Sequence, residues 1–165
     1  MVDNSAPNAF SAGAGRIFVT TGLLKNLSNE SELAAVVSHE IAHQLLDHPK
    51  HAIRTMAKQQ KAGDRPAFAY SLRQEIDADR LGLKILTVAG YDVRNALTGL
   101  SLGYRQDTGH ITSTLEKKPD LDRRLAELFI EVYDRENFRP TRGTSRDFSR
   151  LQNRILKQTF EDPAQ

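Results

Sequence analysis

The sequence predicts a mostly helical α+β domain with one small β-sheet or hairpin near its N-terminus. Apolar residues recur at helical spacing in several segments, and capping signals precede two of these segments. Strand-forming residues are concentrated in one short stretch close to the start. With 165 residues, of which 39% are hydrophobic and 27% charged, the chain has the composition of one globular domain over residues 1–165.

The predicted hairpin covers residues 8–24. Its first apolar residues, 9–10, lead into a Gly-Ala-Gly turn at 13–15, and the β-formers Ile-Phe-Val-Thr-Thr follow at 17–21. The pattern then changes to a short helical piece at residues 23–27.

The next helix is predicted over about residues 30–46. Asn29 can cap it, and Glu32 stands three residues later, where a capping-box carboxylate reaches back. Pro49 is expected to end this helix and to push His48 toward an extended conformation.

The remaining segments are predicted to be helical, with loops between them. Residues 50–70 are basic and less periodic, which favours a partly helical excursion with a loop at 63–66, and residues 103–118 are expected to form another loop. The predicted helices are about 71–89, opened by a capping box from Ser71 to Gln74; about 92–102, capped by Asp92; about 119–136; and an amphipathic C-terminal helix at 146–160.

The composition excludes several classes of site and partner. The chain has no cysteine, so any metal must be held by His, Asp or Glu. The formal net charge is only +2 and the basic residues are dispersed, so nucleic acid is not an expected partner. No segment approaches 18 uncharged apolar residues, and the N-terminus lacks the basic and apolar regions of a targeting signal.

Residues 39–43, His-Glu-Ile-Ala-His, carry the most specific chemical signal. On a helix, His39 and His43 lie on one face one turn apart, so both imidazoles can bind one metal ion. Glu40 can then contact a water on that metal without being a ligand. The arrangement is typical of zinc peptidases, although so short a motif also occurs by chance on helix surfaces.

A catalytic zinc site needs a third protein ligand and one open position. The longer H-E-x-x-H-x-x-G-x-x-H pattern is excluded, because the chain lacks its glycine and its third histidine. His48 is nine residues after His39, which places it about 180° round the helix, as expected of a surface residue rather than a ligand. His51 has no partner at ligand spacing, whereas His110, in a glycine-flanked loop, remains a candidate ligand.

The predicted helix over 71–89 offers a better third ligand. Glu75 and Asp79 are four residues apart and share one face, as the two histidines do. If the two helices pack together, Glu75 can complete the zinc site and Asp79 can accept the N–H of a ligating histidine. The alternative is a solvated acidic face beside Arg73 and Arg80. Asp79 nevertheless falls in register with apolar residues, where a carboxylate is usually buried with a partner.

Five segments, in order, resemble one known family. They are Asn-Ala-Phe at 8–10, Ile-Phe-Val-Thr-Thr-Gly-Leu-Leu at 17–24, the segment 32–43 that ends in the histidine pair, Glu-Ile-Asp-Ala-Asp at 75–79, and Gly-Tyr-Asp at 90–92. Together they resemble peptidase family M48, the gluzincin-type zinc metalloendopeptidases. The resemblance runs from about residue 8 to about residue 128.

The resemblance implies a zincin-like domain that cleaves protein or peptide substrates with one Zn²⁺ per chain. It implies a location in the cell envelope or periplasm, a role in protein quality control, and membrane association of a full-length protein. It also places the strand with residues 8–10 near the cleft, where an extended substrate can pair with it. The implied zinc ligands are His39, His43 and Glu75, with Glu40 as general base and Asp79 as the partner of a ligand.

The chain departs from the family pattern at one point. Many members have a His-Pro pair followed by an arginine before the fourth helix, whereas this chain has Lys118-Pro119, with Arg124 at the arginine position. No role of that histidine is therefore carried over.

The alternative function is a latent or non-cleaving, metal-stabilised module that holds partner proteins. The basic segment 50–70 and the C-terminal helix would suit such a role.

Overall fold

A computed structural model describes residues 1–11, 14–63, 69–105, 121–134 and 138–161 of the chain. Over these ranges the predicted fold class is confirmed, with a two-stranded antiparallel sheet followed by helices. None of the described helices has both the length and the apolar content to cross a bilayer. The elements are β1 (Ala9–Ser11), β2 (Ile17–Val19), α1 (Thr21–Asn26), α2 (Glu30–Leu45), α3 (His48–Ala62), α4 (Leu72–Val88), α5 (Asn95–Arg105), α6 (Leu121–Tyr133) and α7 (Arg146–Glu161).

The predicted N-terminal hairpin is confirmed. β1 and β2 pair with Phe10 opposite Phe18, and the two rings stack with their centroids 5.2 Å apart. Thr20 follows β2 directly, and its hydroxyl accepts the backbone N–H of Leu23 as the N-cap of α1. The hairpin therefore leads without a linker into α1, and β1 itself packs against α2.

The start of α2 is also confirmed. The Asn29 side chain accepts the backbone N–H of Glu32 at 3.0 Å. The Glu32 carboxylate reaches back one residue beyond the cap, to the N–H of Ser28 at 2.6 Å. Both bonds satisfy backbone donors that the helix cannot satisfy itself, which fixes where α2 begins.

The expected effect of Pro49 is wrong. α2 ends at Leu45, Asp47 adopts a left-handed conformation with φ 56°, and α3 begins at His48. Pro49 lies in the first turn of α3, where its missing N–H costs little because that turn has no helical acceptors. The short turn brings His48 against His43 of α2 instead of leaving it extended.

The predicted excursion at 50–70 is largely helical, because α3 continues to Ala62 and ends at Gly63 with φ 82°. The expected loop at 64–66 lies outside the described residues. The capping box that opens α4 is confirmed, since Ser71 and Gln74 bond to each other's backbone N–H.

Two later boundaries differ from the prediction. Asp92 does not cap α5, which begins at Asn95, because its carboxylate accepts the N–H of Arg94 in a preceding turn. α5 extends to Arg105, into the segment 103–118 that we expected to be a loop, and the rest of that segment lies outside the described residues.

α2 is the centre of the molecule and contacts both strands, α3, α4 and α5. Where α2, α4, α5 and α6 meet, the buried side chains are Ala35, Leu83, Leu86, Val93, Ala96, Leu100, Leu128 and Val132. A second cluster of buried side chains comes from α1, α2, α7 and Leu27, which directly follows α1. Its members are Leu23, Leu24, Leu27, Val36, Phe148 and Ile155. The amide of Gln152 in α7 also donates to the carbonyls of Leu24 and Leu27, which ties α7 to the end of α1.

Two glycines allow other helices to approach α2 closely. A Cβ atom at Gly82 of α4 would lie 3.1 Å from both Cα and the backbone N of His39. A Cβ atom at Gly99 of α5 would lie 2.6 Å from the carbonyl oxygen of Glu32. The backbones of α4 and α5 therefore pass next to α2, and α4 does so at the level of His39.

Replacing Gly99 by alanine is expected to lower the free energy of unfolding by about 1–3 kcal/mol, since α5 must move away from α2. This loss should exceed the gain of about 1 kcal/mol from the helix propensity of alanine. Gly143→Ala is the control, because no atom lies within 4 Å of its added Cβ. Urea unfolding measures both, and equal stability of the two variants would contradict the close approach.

Candidate metal site

His39, His43 and Glu75 bring three ligand atoms together in the interior. The two histidines lie on successive turns of α2, with their Nε2 atoms 2.9 Å apart. Glu75 Oε2, from the first turn of α4, lies 3.5 Å from Nε2 of His39 and 3.7 Å from Nε2 of His43. All three side chains are buried. In the described ranges, no other three His, Asp or Glu side chains form such a group.

The donor set fits a metal ion. Two imidazole nitrogens and one carboxylate oxygen are the ligands of one common class of catalytic zinc site. Glu75 is buried, and its Oε2 faces only nitrogen atoms of His39, His43 and Arg124 among the contacts of the described residues. A buried carboxylate needs positive charge nearby, and a cation among these three atoms would add to the charge that Arg124 supplies at 2.8 Å from this oxygen.

Local structure explains why α4 presents Glu75 to α2. The capping box at Ser71 fixes the start of α4, so Glu75 falls in its first turn. Apolar residues on the same face, including Leu83 and Leu86, pack into the core. Gly82 lets this face lie against the backbone of His39. The apolar register predicted for this helix is therefore what orients its carboxylates inward.

Asp79, one turn after Glu75, contacts the other nitrogen of His39. Its Oδ1 lies 2.9 Å from His39 Nδ1, and its side chain is buried. If His39 carries its proton on Nδ1 and donates it to Asp79, its Nε2 keeps a lone pair directed at Glu75 and His43. The contact that the sequence predicted between Asp79 and a histidine is thus present.

The pKa values of the buried site residues depart strongly from their ordinary values. Burial acts to lower the pKa of His39, but hydrogen bonds to Asp79 and Glu75 outweigh it and raise this pKa to about 9. Burial lowers the pKa of His43 to about 4. Burial also acts to raise the pKa of Glu75 and of Asp79. Hydrogen bonds from His39 and His43 hold the pKa of Glu75 below its ordinary value, and hydrogen bonds from His39 and Arg124 do the same for Asp79.

Arg124 of α6 joins the two carboxylates. Its Nη1 lies 2.8 Å from Glu75 Oε2, and its Nε and Nη2 each donate to one oxygen of Asp79 at 2.9 Å. The side chain is 4% exposed. We did not predict this contact, although Arg124 shares the i, i+4, i+8 register of the buried residues Leu128 and Val132. A cation on an apolar stripe indicates a buried anionic partner.

Replacing Arg124 by methionine should lower the free energy of unfolding of the metal-free protein by about 3–5 kcal/mol, because two buried carboxylates lose their countercharge. The neighbouring Arg123 is a matched control. Its side chain is 62% exposed and pairs with Glu127 at 3.5 Å, so Arg123→Met should cost no more than about 1 kcal/mol. Urea unfolding in the presence of a chelator compares the two, and equal losses would contradict a clamping role for Arg124.

Glu40 is not one of the three ligand residues, but it is close enough to His39 and Glu75 for their charges to act on its pKa. Its side chain is buried, and burial raises its pKa to about 7 against the opposing charge of His39. A hydrogen bond from the backbone of Ser11 in β1 also acts on it. A carboxyl group with a pKa near neutrality can both accept and return a proton.

Of the three remaining histidines, two lie in the described residues, and these two differ in burial. His48 is outside the three-atom group, but it is buried rather than on the surface as expected, and its Nδ1 lies 3.0 Å from His43 Nδ1. His51 is exposed, and His110 and Lys118 lie outside the described residues. Tyr70 was not predicted to take part, yet its ring stacks on His43 with centroids 4.1 Å apart.

The chain is similar in sequence to one protein family and to several known proteins. The sequence model of peptidase family M48 matches residues 1–63, which contain the hairpin, His39, His43 and Glu40. Mitochondrial metalloendopeptidase OMA1 of Arabidopsis thaliana is 32% identical, over 59% of this chain and 24% of that protein. Beta-barrel assembly-enhancing protease of Escherichia coli (strain K12) is 30% identical, over 85% of this chain and 25% of that protein. The chain spans about a quarter of the length of these relatives.

Proposed function

This chain belongs to peptidase family M48, and from that membership we propose that it is a zinc-dependent metalloendopeptidase. The observation that carries the proposal is the convergence of the His39, His43 and Glu75 ligand atoms in the interior. Metal-assisted hydrolysis requires such a donor set with a carboxylate beside it, and Glu40 supplies that carboxylate.

In this proposal His39, His43 and Glu75 would hold the zinc ion through the three atoms that converge at the site. Bound zinc supplies a Lewis acid that activates a water molecule and polarises the scissile carbonyl. Glu40 accepts the proton of the attacking water on its carboxylate and then delivers it to the leaving amine.

Two further side chains hold the ligands in place. Asp79 accepts the Nδ1–H of His39 and thereby keeps the Nε2 lone pair of that ring on the metal side. Arg124 of α6 contacts Glu75 and Asp79 together, so it holds these two carboxylates of α4 in place. Both act through the ligands rather than on the substrate.

We also propose that an extended substrate lies along β1. Among the described residues β1 pairs with β2 alone, and in this proposal the substrate adds as a further strand on the other edge of β1. Because the backbone of Ser11 bonds to Glu40, a peptide on this edge would run past the general base. The name of the β-barrel assembly-enhancing relative suggests β-barrel proteins as substrates.

Cleavage of unfolded substrates tests the function. The zinc-loaded chain is incubated with casein and, separately, with an unfolded outer-membrane β-barrel protein, with and without 1,10-phenanthroline. We expect cleavage that the chelator stops and that added zinc restores. Intact substrate in every arm would contradict the proposal, and stable binding without cleavage would favour the alternative of a protein-holding module.

A further inference from the structure

The two histidines of α2 differ in what holds their second ring nitrogen. His39 Nδ1 faces a carboxylate oxygen of Asp79 at 2.9 Å. His43 Nδ1 instead faces another imidazole, His48 Nδ1, at 3.0 Å. A ligating histidine generally needs a partner for its outer nitrogen, because that partner fixes the tautomer and the ring orientation.

The protonation pattern of this pair follows from the chemistry of imidazole. His43 Nε2 must keep a lone pair to serve as a ligand, so its single proton resides on Nδ1. That N–H can only donate, and the structure places His48 Nδ1 at hydrogen-bond distance from it, at 3.0 Å. His48 must then be neutral, with its own proton on Nε2.

His48 is built into the fold at this place. It is the first residue of α3, and the left-handed Asp47 turns the chain so that the imidazole returns to α2. The side chain is buried, at 6% exposed. Between ring centroids, Tyr70 lies 4.1 Å from His43, on which it stacks, and 5.9 Å from His48, to which it is tilted by 49°.

We propose that His48 is a positioning residue of the zinc site, which accepts the Nδ1–H of His43 and holds that ring in the ligating tautomer and orientation. The inference rests on the proposed zinc site and extends it to α3. His39 is thus supported by an anion and His43 by a neutral acceptor, so the support of His43 adds no further carboxylate to the two that Arg124 contacts.

Zinc affinity of three variants tests this role. His48→Leu removes the acceptor and should weaken zinc binding about 10- to 100-fold. His48→Asn should bind zinc within about threefold of the unsubstituted chain, because the amide oxygen of asparagine reaches about the position of a histidine Nδ1. His51→Leu is the control on the same helix, since His51 is exposed, and it should leave affinity unchanged.

Affinity is measured by competition with a chelating indicator, and thermal unfolding of each metal-free variant shows that it is folded. Binding by His48→Leu within twofold of the unsubstituted chain would overturn the inference, and so would an equal loss in His48→Asn. If the unsubstituted chain binds no zinc, the metal site itself is wrong, and the inference is overturned with it.

The tautomers can be read without any substitution, which keeps the test valid if His48→Leu does not fold. Long-range ¹H–¹⁵N correlation of the zinc-loaded protein distinguishes a protonated from an unprotonated ring nitrogen. We expect His43 to carry its proton on Nδ1 and His48 to carry its proton on Nε2. A His48 ring protonated on Nδ1 cannot accept from His43, and that result would overturn the inference while leaving the proposed function intact.

Discussion

Replacing Glu40 by glutamine is expected to abolish peptide hydrolysis while the protein keeps its zinc. The glutamine amide has nearly the shape of the carboxylate but cannot accept the proton of the attacking water. General-base catalysis typically contributes about 10²- to 10⁴-fold, so kcat/KM should fall by at least this order. Cleavage of a fluorogenic peptide and elemental analysis of the same preparation measure the two quantities.

Asp77→Asn is a suitable control for this substitution. Asp77 lies on α4 near the site, but its side chain is 43% exposed and its partner Arg73 is 3.8 Å away. This variant should keep both activity and zinc. Full activity of Glu40→Gln would exclude Glu40 as the general base, and loss of zinc from that variant would show that Glu40 takes part in holding the metal.

Replacing His43 by alanine is expected to remove the metal and the activity together. His43 is 1% exposed, and its Nε2 is one of the three atoms that converge at the site. Without it, one imidazole and one carboxylate remain, which is fewer than the three protein ligands of a catalytic zinc site. Elemental analysis should show about one zinc per chain for the unsubstituted protein and none for His43→Ala.

The exposed His51 again supplies the comparison, since His51→Ala should retain one equivalent of zinc. A His43→Ala protein that still holds one equivalent would refute the assignment of this ligand. Together, the two substitutions separate proton transfer from metal binding, because Glu40→Gln should lose activity alone.

Local signals were sufficient for much of the fold. Asn29 and Ser71 cap helices where the sequence predicts them, because a cap depends only on residues within one turn. The effect of Pro49 could not be read in the same way, since proline both ends helices and favours their first turn. The left-handed Asp47 decides between these outcomes, and nothing in the sequence around it signals that conformation.

The residues of the candidate site also fall into two groups, those that the sequence predicts and those that it does not. Spacing and apolar register predicted that His39, His43, Glu75 and Asp79 would lie together, because each pair lies on one face of one helix, and the structure brings them together. Arg124, His48 and Tyr70 join them from other segments of the chain. Their contacts depend on how α6, α3 and the residue before α4 pack, which one sequence does not specify locally.

The position of the metal tests the central claim most directly, which is that His39, His43 and Glu75 hold one zinc ion between them. Crystals of the zinc-loaded protein, measured just above and just below the zinc absorption edge, locate the ion without reference to any assumed ligand. We expect one anomalous peak per chain, with His39 Nε2, His43 Nε2 and Glu75 Oε2 as its nearest protein atoms. A peak at another place, or one beside the histidine pair with Glu75 turned away, would contradict the claim.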